Sequence, residues 1–147
     1  MKSLRTEHDR EAILARIGSL EASAAARWGR MKAPQMIAHL VQSLRMATGE
    51  LPVRAKRTPL RYAPIKQLVM YVLPMPKGLP TAPELLQREP ASWDAEVAAL
   101  RGALQRFAER APDAEWPAHP VFGPFTAREW GVQAHSHVDH HLRQFGA

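Results

Sequence analysis

The chain has 147 residues and carries 20 Lys and Arg against 14 Asp and Glu, a formal net charge of +6. That is the size of one ordinary domain, large enough to close a core unaided. It contains no cysteine, which excludes disulfides, thiolate nucleophiles and zinc-finger ligand sets, so any metal must be held by His, Asp or Glu.

Helical periodicity appears first from Thr6 to about Glu21, where Ala12, Ile13, Ile17 and Leu20 share a stripe. Thr6 stands as N-cap, with acidic residues in the first turn. The second helix is predicted over about Ala33 to Thr48. Pro34 occupies an early helical position, Met36, Ile37, Leu40, Val41, Leu44 and Ala47 form a broad apolar stripe, and Gly49 ends it. Ala33 stands before Pro34, where a Ser or Thr cap would be expected.

Prolines 52, 59, 64, 74, 76, 80, 83 and 90 then break the rhythm. They leave room for one short helix, about Ile65 to Leu73. Ser92 opens a third long helix through Val97, Leu100, Leu104 and Phe107 to Arg110, closed by Pro112. The last is announced by Thr126-Ala127-Arg128-Glu129, a capping box, and ends at Gly146. Strand-like alternation is nearly absent. The expected fold is all-α and a single domain over 1–147: an antiparallel four-helix bundle with a long proline-rich crossover between helices two and three.

The start, MKSLRTEHDREAI, lacks the apolar run of a signal peptide, and the longest apolar stretch, beginning at Leu68, is far short of a membrane span. A cytoplasmic protein with no membrane partner is expected. Basic residues are scattered, with one modest concentration at Arg54, Lys56, Arg57, Arg61 and Lys66 that lacks interleaved aromatics. No nucleic-acid partner is expected, since no binding motif accompanies this cluster. It suits an anionic small molecule equally well.

Five of the seven histidines lie in the last thirty residues. His137 and His141 are one helical turn apart. Counting about 100° per residue, Ala127, Trp130, Ala134, Val138 and Phe145 share their face, whereas Val132, His135, Ser136 and Asp139 fall outside it. Two imidazoles on an apolar stripe form half of a divalent-metal site. His140 lies at the border of the stripe. Among possible third ligands His39 is the best placed along the chain, although it sits at the edge of its own helix's stripe; alone, it reads more often as a surface or locally hydrogen-bonded residue than as a ligand. Trp130 reads as the floor of a pocket, and the other aromatics as packing.

The strings WGRMKAPQMIAHL, LPMPKGLPTAPEL and HPVFGPFTAREWGVQAHSHVDHHLRQFG, in that order, resemble the DinB and YfiT superfamily of small metalloproteins. More narrowly they are similar to an uncharacterised subfamily, the domain of unknown function 1569 type. The resemblance covers about Trp28 to Gly146. It implies a four-helix bundle, commonly a homodimer, with a divalent metal held by His39, His137 and His141. It also implies a small-molecule substrate, with activity as a thiol-dependent transferase acting through a low-molecular-weight thiol, or as a hydrolase. Activity carried over at superfamily level is analogy.

Three imidazoles suit zinc or nickel first, with iron and copper as further options. Gln144, Ser43 and backbone carbonyls are candidates to fix the ring tautomers, while Asp139 points away. No residue stands out as the catalytic base; His140 and His119 are candidates, His119-Pro120 reading equally as a turn. Two further readings stay open. One is a non-catalytic metal- or ligand-binding bundle of stress-response type. The other is a metal-free, hydrogen-bonded histidine cluster.

Overall fold

A computed structural model describes residues 1–73, 75, 77, 81–86 and 88–147. Among them the chain forms five α-helices and no strand: α1 (Glu7–Gly18), α2 (Ala33–Ala47), α3 (Ile65–Tyr71), α4 (Trp93–Glu109) and α5 (Ala127–Gln144). Each begins within two residues of its predicted start. Two single 3-10 turns in the crossover, Pro59–Arg61 and Pro83–Leu85, each open on a proline. Pro74, Pro76 and Pro80, on which part of the crossover reading rests, lie outside the described residues.

The helix starts follow from local chemistry. Thr126 Oγ1 accepts from the Glu129 N–H at 3.2 Å while Glu129 Oε2 accepts from the Thr126 N–H at 2.8 Å, closing the predicted capping box of α5. Ser92 Oγ accepts from the Ala95 N–H at the head of α4. At α2 the missing Ser or Thr is replaced from the other side. Gln35 Oε1 accepts the N–H of Lys32, the residue before Ala33, at 2.9 Å, so half of a capping box survives without a hydroxyl.

Helix α2 is the centre of the molecule. It packs against α4 and α5, and Leu85 of the second 3-10 turn covers it from the crossover. Both α4 and α5 also contact α1. Consequently every residue from Met36 to Leu44 is buried, and His39, expected at the edge of the stripe, is only 2% exposed. The amphipathic count treats a helix as having one covered face; three neighbours around α2 remove that distinction.

The same correction applies to α5, whose back is also covered. Leu4, fully buried, donates its N–H to the Gly131 carbonyl at 3.0 Å, and Arg16 of α1 reaches Asp139 at 2.6 Å. Val132 and His135, assigned outside the stripe, are therefore buried against the N-terminal segment and its surroundings. Gly131 makes this approach possible, because a Cβ there would overlap Ser3 Oγ and crowd Arg5.

One buried charge was not legible from periodicity. Glu96, in the first turn of α4, is 1% exposed. Its carboxylate accepts two bonds from the Arg88 guanidinium, one at 2.6 Å, and one from the Ala91 N–H at 2.7 Å. The Arg88 bonds hold its pKa below the usual carboxylate value against the opposing effect of burial. Glu96 thereby ties the end of the crossover to α4. Replacing it with Ala leaves Arg88 unpaired and the Ala91 amide unsatisfied, and is expected to cost about 2 kcal/mol. A urea midpoint within error of wild type would contradict this.

Candidate metal centre

Helix α2 supplies His39, and one turn of α5 supplies His137 and His141. In an α-helix residues i and i+4 lie one above the other, so the α5 pair opens towards whatever helix packs on that face. That helix is α2. The ring centroids are 4.9 Å apart for His39 and His137, 4.9 Å for His39 and His141, and 4.8 Å for His137 and His141. One ligand nitrogen from each ring lies within 4.8 Å of the other two. No carboxylate among the described residues joins this group.

Burial keeps these rings neutral. The pKa of His39 is pushed down to about 3 by desolvation first and by the neighbouring His141 second, with the Leu85 backbone acting weakly in the other direction. His137 lies well below its ordinary value because of burial, then the flanking His39 and His141. His141 falls to about 4, again chiefly by desolvation, although its bond to Gln144 favours the charged form. Neutral imidazole is the form that donates a lone pair to a metal.

The hydrogen bonds show which nitrogens are free. His141 Nδ1 meets Gln144 Oε1 at 2.8 Å, and since an amide oxygen only accepts, Nδ1 carries the proton and Nε2 keeps its lone pair. Gln144 is held in turn. Its Nε2 donates to the Trp28 carbonyl at 2.8 Å, and its own carbonyl accepts from the Arg27 N–H at 2.7 Å. Gly29, at φ 77°, turns the chain closely over this amide; a Cβ there would stand 3.0 Å from Gln144 Nε2.

His39 Nε2 and His137 Nε2 face each other at 3.1 Å. Without a cation one of them must carry a proton between the two lone pairs. His39 Nδ1 is buried and lacks a hydrogen bond of ordinary geometry among the described residues. A cation among the converging nitrogens would let His39 and His141 carry their protons on Nδ1, towards Leu85 and Gln144. The donor set therefore fits a divalent metal.

The other candidates fall outside the triad. His140 sits edge-on to both His141, at 5.3 Å, and Trp28, at 5.6 Å, beside the cluster and not within it. His135 faces the N-terminal segment of the chain, on the cavity it lines with Met1 and Lys2. His119 is a turn residue: its backbone exchanges two hydrogen bonds with Gly123, and its Nδ1 accepts from the Val121 and Phe122 N–H groups at 3.1 and 3.2 Å. Its ring packs among Phe122, Phe125 and Trp130. Trp130, buried with its Nε1 donating to the Pro117 carbonyl, belongs to this aromatic group. Ser43 donates to the His39 backbone carbonyl, whereas Asp139 pairs with Arg16 and Arg143. A cavity of about 260 Å³ lies behind α5, lined by Met70, Tyr71, Val132 and His135 among others, and belongs to the opposite face from the triad.

Fold and site together define a helical protein with a buried three-histidine cluster able to hold a metal ion. The chain belongs to the family described as Protein of unknown function (DUF1569), which it matches over residues 1–147. No curated protein and no solved structure matches it.

Proposed function

We infer that this protein binds a divalent metal through His39, His137 and His141 and uses it in a transfer or hydrolysis reaction on a small molecule, with a low-molecular-weight thiol as partner in the transfer case. The observation that carries the metal reading is the convergence of three neutral imidazoles from two helices, one of them tautomer-locked by Gln144. Zinc or nickel suits this set best, and iron or copper remains chemically compatible. Bound there, such an ion would act as a Lewis acid and leave a position for an exogenous ligand.

The chain's own residues support the reading in three ways. Gln144, anchored on Trp28 and Arg27, fixes the orientation of His141. The buried walls of α2 exclude water from one side of the cluster, while His137 and His141 keep some exposure on the other. The mutual packing of α1, α2, α4 and α5 suits an antiparallel four-helix bundle of DinB type, in which facing helices build such sites. Ile65 and Leu68 of α3 and Val72 just after it stay exposed, which favours a homodimer. No described helix is long and apolar enough to cross a membrane; a cytoplasmic location is part of the proposal.

Elemental analysis of untagged protein, beside His39→Ala and His137→Ala, tests the proposal. Near-stoichiometric metal in wild type and its loss in both variants, with helical circular dichroism retained, is the expected result. Wild-type protein that is metal-free and refuses added zinc and nickel would overturn it. For the transfer case, cobalt-substituted protein should change its visible spectrum on addition of 2-mercaptoethanol; an unresponsive spectrum would remove the thiol-dependent branch of the proposal.

A further inference from the structure

Three imidazoles bring no charge to a divalent ion, and no carboxylate among the described residues reaches the cluster. The site would therefore hold an uncompensated +2. The carboxylate nearest to it along α5 is already engaged by two arginines. Asp139, next to His140 in the chain, is engaged by Arg16 at 2.6 Å and Arg143 at 3.0 Å.

A cation with a defined seat stands on the ring of Trp28. Lys77 Nζ lies 4.3 Å from the centroid of the Trp28 ring. Trp28 is edge-on to His140 at 5.6 Å, and His140 edge-on to His141 at 5.3 Å. The Trp28 carbonyl also anchors Gln144, which orients His141. Lys77 is thus linked to the triad by two rings and one hydrogen-bonded amide. It is exposed, and no ion pair is formed by it among the described residues. A lysine held on an aromatic face keeps its remaining N–H donors for a ligand.

We propose that the small molecule taken by the three-histidine site carries an anionic oxygen group, carboxylate or phosphate, bound by Lys77 on the Trp28 face. This deepens the metal reading and rests on it. Lys77 is then a binding residue. The competing role is purely structural, with Lys77 stacking on Trp28 to hold the crossover against the bundle. The two roles differ in what charge removal does to ligand discrimination, since a structural stack does not tell a dianion from a monoanion.

Zinc-loaded protein, its zinc content first measured, is titrated calorimetrically with succinate, butyrate and 3-phosphonopropionate at constant ionic strength. Wild type should bind succinate about tenfold more tightly than butyrate. That ratio should fall to about one in Lys77→Gln and return in Lys77→Arg, with zinc content equal in all three. Tighter binding of 3-phosphonopropionate than of succinate that is lost in Lys77→Gln would assign a phosphate to Lys77, and a Lys77-dependent preference for succinate a carboxylate. Equal affinities for succinate and butyrate in wild type, no binding of either, or a ratio unchanged in Lys77→Gln would overturn the proposal. Wild type that takes up no zinc would show the failure at the earlier step, in the metal reading itself.

Discussion

Metal-free protein is expected to unfold steeply as the pH falls below about 6.5. His39 and His119 are both buried, and each has its pKa pushed down to about 3 from 6.5, chiefly by desolvation. In the unfolded chain both regain their ordinary value. Above pH 6.5 both states carry neutral imidazole and the contribution to stability is complete. Between 6.5 and about 3 the unfolded state binds protons that the folded state refuses, so stability is lost as the pH drops. Two such groups remove up to about 3 kcal/mol per pH unit at the steepest part. Against a total of roughly 5–15 kcal/mol for a domain, two pH units bring a domain at the lower end of that range to unfolding. His137 and His141, also lowered, act in the same direction.

Urea titrations at pH 7, 6, 5 and 4, followed by circular dichroism, would measure this slope. His119→Gln, which removes one of these buried titrating groups without touching the triad, should reduce it by about 1.4 kcal/mol per pH unit. Saturating zinc should move the unfolding midpoint to lower pH, because protons and metal compete for the same lone pairs. Stability constant between pH 7 and pH 4 would show that these histidines are not desolvated in the folded protein.

Why was His137 with His141 legible while the condition of His39 was not? A pair at i and i+4 is fixed by the geometry of one helix, and the capping box from Thr126 to Glu129 placed that helix in register. The burial of His39 depends on three neighbours converging on α2, among them Leu85 from a proline-broken segment distant in sequence. Periodicity reports one face of a helix and is silent on how many faces are covered. For the same reason Val132 and His135 seemed exposed until the N-terminal segment folded over Gly131. Glu96 carried no signal at all, because an acidic residue in a first helical turn is ordinary and its partner Arg88 precedes the helix. Gln144 could be named because it stands three residues after His141, but its second anchor, the Trp28 carbonyl, comes from the turn before α2.

That second anchor makes Gln144 the residue whose loss should most affect metal affinity without removing a ligand. Gln144→Leu would keep the volume and helical propensity of the position while deleting the acceptor for His141 Nδ1–H and the donor to Trp28. His141 could then turn about its side chain or carry its proton on Nε2, the nitrogen needed for the metal. Outer partners of ligating histidines typically account for 10–100-fold in affinity, and a loss in that range is expected for zinc, measured by competition with a chelating dye. Gln144→Glu separates orientation from charge. A carboxylate accepts the same Nδ1–H bond and strengthens the donor character of the ring, but it cannot donate to the Trp28 carbonyl, so metal binding should recover at least in part while the turn at Gly29 loosens. Zinc affinity equal to wild type in Gln144→Leu would mean that α5 alone holds His141 in place, and that the Trp28 turn, with Lys77 stacked upon it, is not coupled to the metal centre.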